Sequence, residues 1–380
     1  MADYKTIREP LFHISKRGTI SLEKAILIRT IAITCAILFS AIICGIIFKA
    51  NPLLVITSLF EGAFGSERRI WLLIRETSLL LGVGLALVPS FKMKFWNLGG
   101  NGQILMGALV TIAIMRSNLA VNNPLVANIL MVICSILAGA IWAVIPAIFK
   151  ALFKSNESLF TLMMNYIAVG LVSFFISKWA TSGSGVLGQI HTGHLPEIVN
   201  THLLTILIVA LLTIFMFIYM KYTKQGYEVS VVGESENTAR YIGVNVKKVV
   251  IRTVAISGAL CGIIGLLLAG SIDHSISEQT ANNMGFTAIM VAWLAKFNPF
   301  MMILSAFLVS FLTRGMGQVQ TNFGSTNNAV ANLIVGLIYF VIIGCEFFIA
   351  YKVRFKKNKA ISKDFTFSQE SEVTDSKEEK

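Results

Sequence analysis

In the stretch Trp96-Asn-Leu-Gly-Gly-Asn-Gly-Gln-Ile-Leu-Met-Gly107, two asparagines, a glutamine and four glycines sit together in a chain that is 55% hydrophobic. Amide side chains donate and accept hydrogen bonds but do not titrate, so their chemistry is recognition. Asn97 can cap a helix start, and the glycines permit a helix break or a close backbone approach. Non-helical backbone at membrane depth is tolerated only where it is buried in protein or lines a cavity, and broken helices of this kind often sit at binding sites. The stretch reads as a hinge or cavity edge, with Asn97 and Gln103 as candidate polar lining of a solute pathway. The alternative is tight helix packing, with Gln103 bonded to a neighbour. Asn165, in Thr161-Leu-Met-Met-Asn-Tyr166, is the third pathway candidate. An amide without a partner in hydrocarbon is costly, so it must face another helix or a wet path.

Other reactive residue types give weaker patterns. His191, His194 and His202 have a spacing that suits a metal, but only Glu197 accompanies them and three or four ligands are needed. No metal site or cofactor is expected. Gly183-Ser-Gly-Val-Leu-Gly188 matches G-x-G-x-x-G, yet it follows an apolar helix where a nucleotide fold needs a strand. No G-x-x-x-x-G-K-[ST] occurs, so no nucleotide is held through a P-loop. No acid, base and nucleophile set is evident, and an enzyme is not expected. Arg75-Glu76 lies inside an apolar run, where charges pair or face a cavity, and the reading favours structural pairing. Arg252 reads as a snorkelling anchor. The five cysteines all lie in apolar runs and read as small buried hydrophobes.

The elements that position these residues follow from composition. Only 14% of the 380 residues are charged, against roughly 25% in soluble domains. The chain has too little polar surface to coat itself in water and belongs to the membrane class. A bilayer core takes roughly 20 apolar residues per helix. Clear runs cover 25–48, 70–90, 125–149, 159–177, 203–220, 248–272 and 329–350, and shorter or broken ones cover 97–116, 284–296 and 299–313. Pro299 breaks the last pair. The fold expected is an all-α polytopic membrane protein of about ten transmembrane helices, some broken or short, with both termini cytoplasmic. With the N-terminus inside, 23 lysines and arginines fall inside and 6 outside, which satisfies the positive-inside rule. The formal charge of +12 is thereby a topology signal, and no nucleic-acid partner is expected. The organisation is a cytoplasmic segment 1–24, a transmembrane domain 25–350 with a cytoplasmic loop 221–248, and a cytoplasmic, disordered tail 351–380.

That loop contains Gly226-Tyr-Glu-Val-Ser-Val-Val-Gly-Glu-Ser-Glu-Asn-Thr-Ala-Arg-Tyr-Ile-Gly243. Ser235 should cap a short helix over 236–242, with Glu236 in its first turn and Gly243 as its stop. Such a knob would dock in a partner's groove by burying Ala239, Tyr241 and Ile242.

Taken in order, these motifs resemble one family. The opening stretch is similar to the N-[IL]-G-x-x-G-Q-x-x-x-G signature of permease subunits of ATP-binding-cassette importers, in the group serving ribose, branched-chain amino acids and nucleosides. Asn156-Glu157 with Thr161 to Ile167, Gly226 to Gly243, Ser257-Gly-Ala-Leu260 with Gly262, and Ala292 to Pro299 extend the resemblance over about 70–345. "NLGGNGQ" followed by "NESLFTLMMNYI" most resembles the larger permease of nucleoside uptake systems, though the family pattern has an acidic residue at Asn101. The resemblance implies a multi-pass subunit of the bacterial cell (inner) membrane, surrounded by membrane lipid. It implies three partners: ATPase subunits, a second related permease forming a heterodimer, and an extracellular or periplasmic substrate-binding lipoprotein. It also implies that Glu234, Glu236, Ala239, Arg240, Tyr241 and Gly243 form the coupling helix that meets the ATPase. A sugar or branched-chain amino acid permease is the alternative, followed by an ion-coupled secondary transporter.

Overall fold

A computed structural model describes residues 12–16, 22–181, 186–323, 335–341, 344, 347 and 351–355. The chain divides into two units, Met1–Ile33 with Val341–Lys380, and Thr34–Phe340. In the first unit, strand β1 (Phe12–Lys16) pairs antiparallel with β2 (Tyr351–Phe355), Ile14 facing Val353. The described residues thus add one two-stranded ladder to the all-helical expectation. The first five residues of the expected tail belong to that ladder. The rest of the tail lies outside the described residues, as do Cys345 and the Gly183–Gly185 part of the glycine motif.

Helix α1 (Leu22–Phe48) leads into the second unit, where α2 (Pro52–Phe64) follows a sharp break. Asn51 sets that break: its side chain accepts from the Leu53 N–H, and Pro52 occupies the first helical turn, where its missing N–H costs nothing. Helix α3 (Glu67–Lys92) opens on Ser66, whose hydroxyl accepts from the Arg69 N–H, and closes with Lys92 in its last turn. Next come α4 (Gly100–Met115), the short α5 (Asn118–Asn122), α6 (Pro124–Phe153), α7 (Glu157–Trp179) and α8 (Leu203–Tyr222). The loop after α8 holds α9 (Lys224–Glu234) and α10 (Glu236–Tyr241). Helix α11 (Val246–Leu267) continues without interruption into a π-helical turn, Leu268–Asp273. Helices α12 (Met284–Leu294) and α13 (Pro299–Asn322) follow. Between them Lys296 and Phe297 take positive φ, and the Asn298 side chain accepts from the Phe300 N–H. The break expected at Pro299 is therefore a capped turn.

Among the described residues, six helices are long and apolar enough to cross a membrane: α3, α6, α7, α8, α11 with its π-helical end, and α13. The second half of α1 and α2, bent by 114°, make a seventh if taken as one span. The expected segments at 97–116 and 284–296 are shorter apolar helices. Residues 52–64 fall between the expected segments 25–48 and 70–90, because a 13-residue run is too short to stand out as a span. The last broken segment is expected to end at 313, before Arg314. The helix runs on to Asn322 because Arg314 is neutralised by an ion pair with Glu76 on α3. The segment expected at 329–350 lies largely outside the described residues; 335–341 are helical.

The core centres on α11, which packs against α6, α4 and α3. A Cβ on Gly258 would strike the Gly139 carbonyl, and one on Gly262 would strike the Ser135 carbonyl. The α6–α11 crossing therefore exists only because those positions are glycine, as in small-residue membrane helix pairs. Outward, α6 exposes Leu125, Ile129, Ile133, Leu137 and Ile141, four residues apart, and α8 exposes Leu207, Leu211 and Ile218. Apolar stripes of this extent fit lipid, not water. The chain is a multi-pass α-helical membrane protein.

Candidate functional site

Three groups of polar side chains stand out from this apolar body. The first is the Trp96–Gly99 connection between α3 and α4. Asn97, Gln103 and Asn165 are all buried, and the structure brings them together with Ser257 and Thr161. Asn97 donates to the Ser257 hydroxyl at 3.2 Å and accepts from Gln103 Nε2 at 3.1 Å and from the Gly99 N–H at 3.1 Å. Asn165 bridges the non-helical backbone, accepting from the Gly102 N–H and donating to the Leu98 carbonyl, both at 2.8 Å. The Thr161 hydroxyl accepts from the Leu98 N–H at 3.1 Å. Backbone freed by the break is thus paired with side chains of α7 and with Asn97, which Gln103 of α4 and Ser257 of α11 hold in turn. Asn101 joins α4 to α12 by accepting from the Gly285 N–H at 2.8 Å. A carboxylate oxygen would accept the same bond, so the departure from the family's acidic residue preserves this joint.

The second group surrounds an open cavity of about 1030 Å³ between α2, α3, the π-helical turn, the 277–284 connection and α13. Its charged lining is Arg68, Arg69, Arg75, Glu76, Asp273 and Arg314, over apolar walls that include Leu72, Leu79, Leu268 and Ile272. Asn97, Gln103 and Asn165 do not line it. The pairing expected within Arg75-Glu76 is redirected. Glu76 pairs with Arg314, whereas among the described residues Arg75 reaches only His202 Nδ1, at 3.5 Å. Burial, then the positive charges of Arg75 and Arg68, hold the His202 imidazole below its ordinary pKa. Asp273 was passed over in the sequence because it lies at the end of its apolar run; its place opposite Arg75 depends on tertiary packing.

The three histidines of the expected metal pattern are separated. His202 sits beside Arg75, while His194 stacks on His274 with ring centroids 3.8 Å apart. Among the described residues no group of three or more metal-ligating side chains converges. The loop around His194 is fastened to the π-helical turn: the Ile190 N–H donates to the His274 carbonyl, and the Leu195 N–H to the Gly270 carbonyl.

The third group is at the opposite end of α3, where Gly233 packs against the Lys92 carbonyl. Helix α9 is fixed to the body there, and by an ion pair between Glu228 and Arg252 of α11 at 3.0 Å. Arg252 is therefore a joint and not a free snorkelling anchor. Ser235 caps α10 as expected, its hydroxyl accepting from the Thr238 N–H, and Gly243 ends it at φ 82°, a conformation that favours glycine. Glu234 is the last residue of α9, and Glu236 pairs with Arg240 along α10. Tyr241 is 92% exposed and Ile242 53%. Ala239 corrects the expectation: it is fully buried in this chain's own core, because it faces back toward the body, and it cannot bury against a partner.

The model for the permease component of branched-chain amino acid transport systems matches residues 69–343. The chain belongs to this family. Its members are transport subunits, not enzymes. The chain is 30% identical over 314 residues to the guanosine ABC transporter permease protein NupP of Bacillus subtilis, covering 80% of this chain and 87% of that one. It is 28% identical to the nucleoside ABC transporter permease protein NupB of Lactococcus lactis, over 94% of this chain and 98% of that one. The glucose ABC transporter permease protein TsgB13 of Haloferax volcanii is 27% identical, over 74% of this chain and 77% of its own. No solved structure matches the chain.

Proposed function

We propose that the chain is the permease subunit of an ATP-binding-cassette importer that carries nucleosides across a bacterial cell (inner) membrane. Its partners are ATPase subunits, a second, related permease forming a heterodimer, and an extracellular or periplasmic substrate-binding lipoprotein. Two relatives are named for guanosine and nucleosides, and the NupB likeness runs over nearly the whole chain; that likeness carries the reading. About ten spans with both termini cytoplasmic suit it. The β1–β2 ladder, which joins residues near the two ends of the chain, fits ends that share a side.

In this reading α10 enters a groove of the ATPase through Tyr241 and Ile242, flanked by Glu234, Glu236 and Arg240. Gly243 allows the return into α11. Closure of the ATPase on ATP pushes α10, and α9 transmits the push to α3 and α11 through Gly233 and the Glu228–Arg252 pair. Asn97, Gln103 and Asn165 hold the connection about which the helices tilt. They serve the solute pathway by keeping its hinge paired.

Tyr241→Asp, or Glu236→Lys, should leave membrane insertion and thermal stability unchanged and abolish co-purification of the ATPase. Normal co-purification would remove α10 from the interface. Competition of labelled guanosine uptake by excess ribose, glucose and leucine tests the substrate; displacement by a sugar and not by nucleosides would turn the assignment to the glucose relative's class.

A further inference from the structure

Resting on the nucleoside-permease reading, we propose that the charged cavity is where the solute is held, and that Arg75 and Asp273 read its base. Arg75 donates to ring-nitrogen and carbonyl acceptors, and Asp273 accepts from N–H groups.

The charges around the cavity are not equivalent. Arg314 is tied to Glu76, and Arg69 to Glu61 and its carbonyl. Arg68 stands exposed in the first turn of α3, at the rim. Two charges remain inside. The Arg75 Nε is buried with no hydrogen-bond partner, and its Nη1 has only the long contact to His202. Asp273 has no hydrogen bond or ion pair among the described residues and is exposed to the cavity. Each feels the other's charge without a bond between them. Ionisable groups within a membrane domain are costly unless paired or facing a wet path. A cation and a carboxylate left apart on one cavity are a prepared pair of hydrogen-bonding sites waiting for a third party.

The chemistry selects that party. Small-molecule sites are cavities of roughly 300–1,000 Å³ with mostly apolar walls and a few convergent polar groups, and this one, at about 1030 Å³, is at the upper end. A solute with net negative charge would meet Asp273, and a cation would meet Arg75. A neutral heterocycle with acceptors and N–H donors on neighbouring edges satisfies both. Guanine does so, with N7 and O6 as acceptors and ring and exocyclic N–H groups beside them. Its faces can lie against Leu72, Leu79, Leu268 and Ile272. The π-helical turn supplies the placement of Asp273. Such turns are rare insertions that recur at functional sites, and here the turn is pinned from outside by the Ile190 and Leu195 backbone bonds.

The test uses the complete importer in proteoliposomes, with ATPase, partner permease and binding lipoprotein, and follows guanosine, inosine and adenosine uptake. Asp273→Asn and Arg75→Gln should each raise KM for guanosine about tenfold or more, the value of one charge-assisted hydrogen bond. Asp273→Asn should also flatten the preference for guanosine and inosine, which carry a ring N–H, over adenosine, which lacks it. Unchanged KM and unchanged preference overturn the proposal. If Arg75→Gln fails to assemble, the near-isosteric Asp273→Asn decides alone. Failure of the wild-type importer to move any nucleoside would overturn the functional reading itself, and it shows before any variant is made.

Discussion

The connection at Trp96–Gly99 and the cavity beside Arg75 are both polar regions of an apolar chain, and they treat their polar groups oppositely. At the connection each amide finds partners: Asn97 bonds Ser257, Gln103 and Gly99, and Asn165 bonds Gly102 and Leu98. At the cavity, among the described residues, Arg75 and Asp273 are left without bonds that would satisfy them. Satisfied polar groups fix a conformation. Unsatisfied ones beside open space are available to a ligand. Polarity within a membrane segment therefore does not by itself mark a pathway; what the neighbours leave unpaired does.

The contrast predicts where substitutions hurt stability and where they hurt transport. Asn165→Leu should have the largest effect. It strands the Gly102 N–H and the Leu98 carbonyl in a dry interior, at about 1–3 kcal/mol each, and should sharply lower the thermal midpoint in detergent. A stable Asn165→Leu protein would break the distinction. Gln103→Leu should cost less, about 1 kcal/mol, because Asn97 keeps its bonds to Ser257 and Gly99. Uptake measured on normally expressed protein should then be near wild type. Lost uptake with normal stability would place Gln103 on the solute path after all.

The smallest effect concerns pH at the loop that docks on the π-helical turn. Burial, then the charge of His194, hold the His274 imidazole below its ordinary value of 6.5. The neutral ring is thus favoured in the folded chain. The docked arrangement has its full stability above pH 6.5 and loses it progressively as pH falls below that value, since the unfolded chain takes up the proton more readily. Backbone amides of 189–197 should exchange faster at pH 5.5 than at pH 7.5, once intrinsic rates are corrected. His274→Gln should remove that difference. The amides of α4 should show no such change.

Much of the helical framework was legible because its signals are local. Apolar runs, Ser235 before Glu236 and Asn298 before Pro299 each declare an element within a few residues. The outstanding helix α10 was readable to within one residue for the same reason. What resisted reading depends on distant partners. Helix α2 is too short to announce itself, and α13 outruns Arg314 only because Glu76, 238 residues away in sequence, neutralises it. Ala239 carries the same residue type whether it faces a partner or its own core. Asn97 and Arg75 both look like polar intrusions on paper; only Ser257 and Gln103 near the one, and open space near the other, tell them apart.

The glycine crossing of α6 and α11 has a mechanical meaning. Two helices in backbone contact cannot slide past one another and behave as a single stiff beam. The α11 member and its π-helical end span 28 residues, or roughly 42 Å at 1.5 Å per residue. Near one end it is tied to α9 at Arg252, and its other end carries Asp273. A rotation of about 5° about the Arg252 tie, roughly 32 Å from Asp273 at 1.5 Å per residue, moves that far end by roughly 3 Å, enough to take a carboxylate out of hydrogen-bond range. Leverage, with no rearrangement inside the beam, is sufficient to connect a push at one face with release at the other.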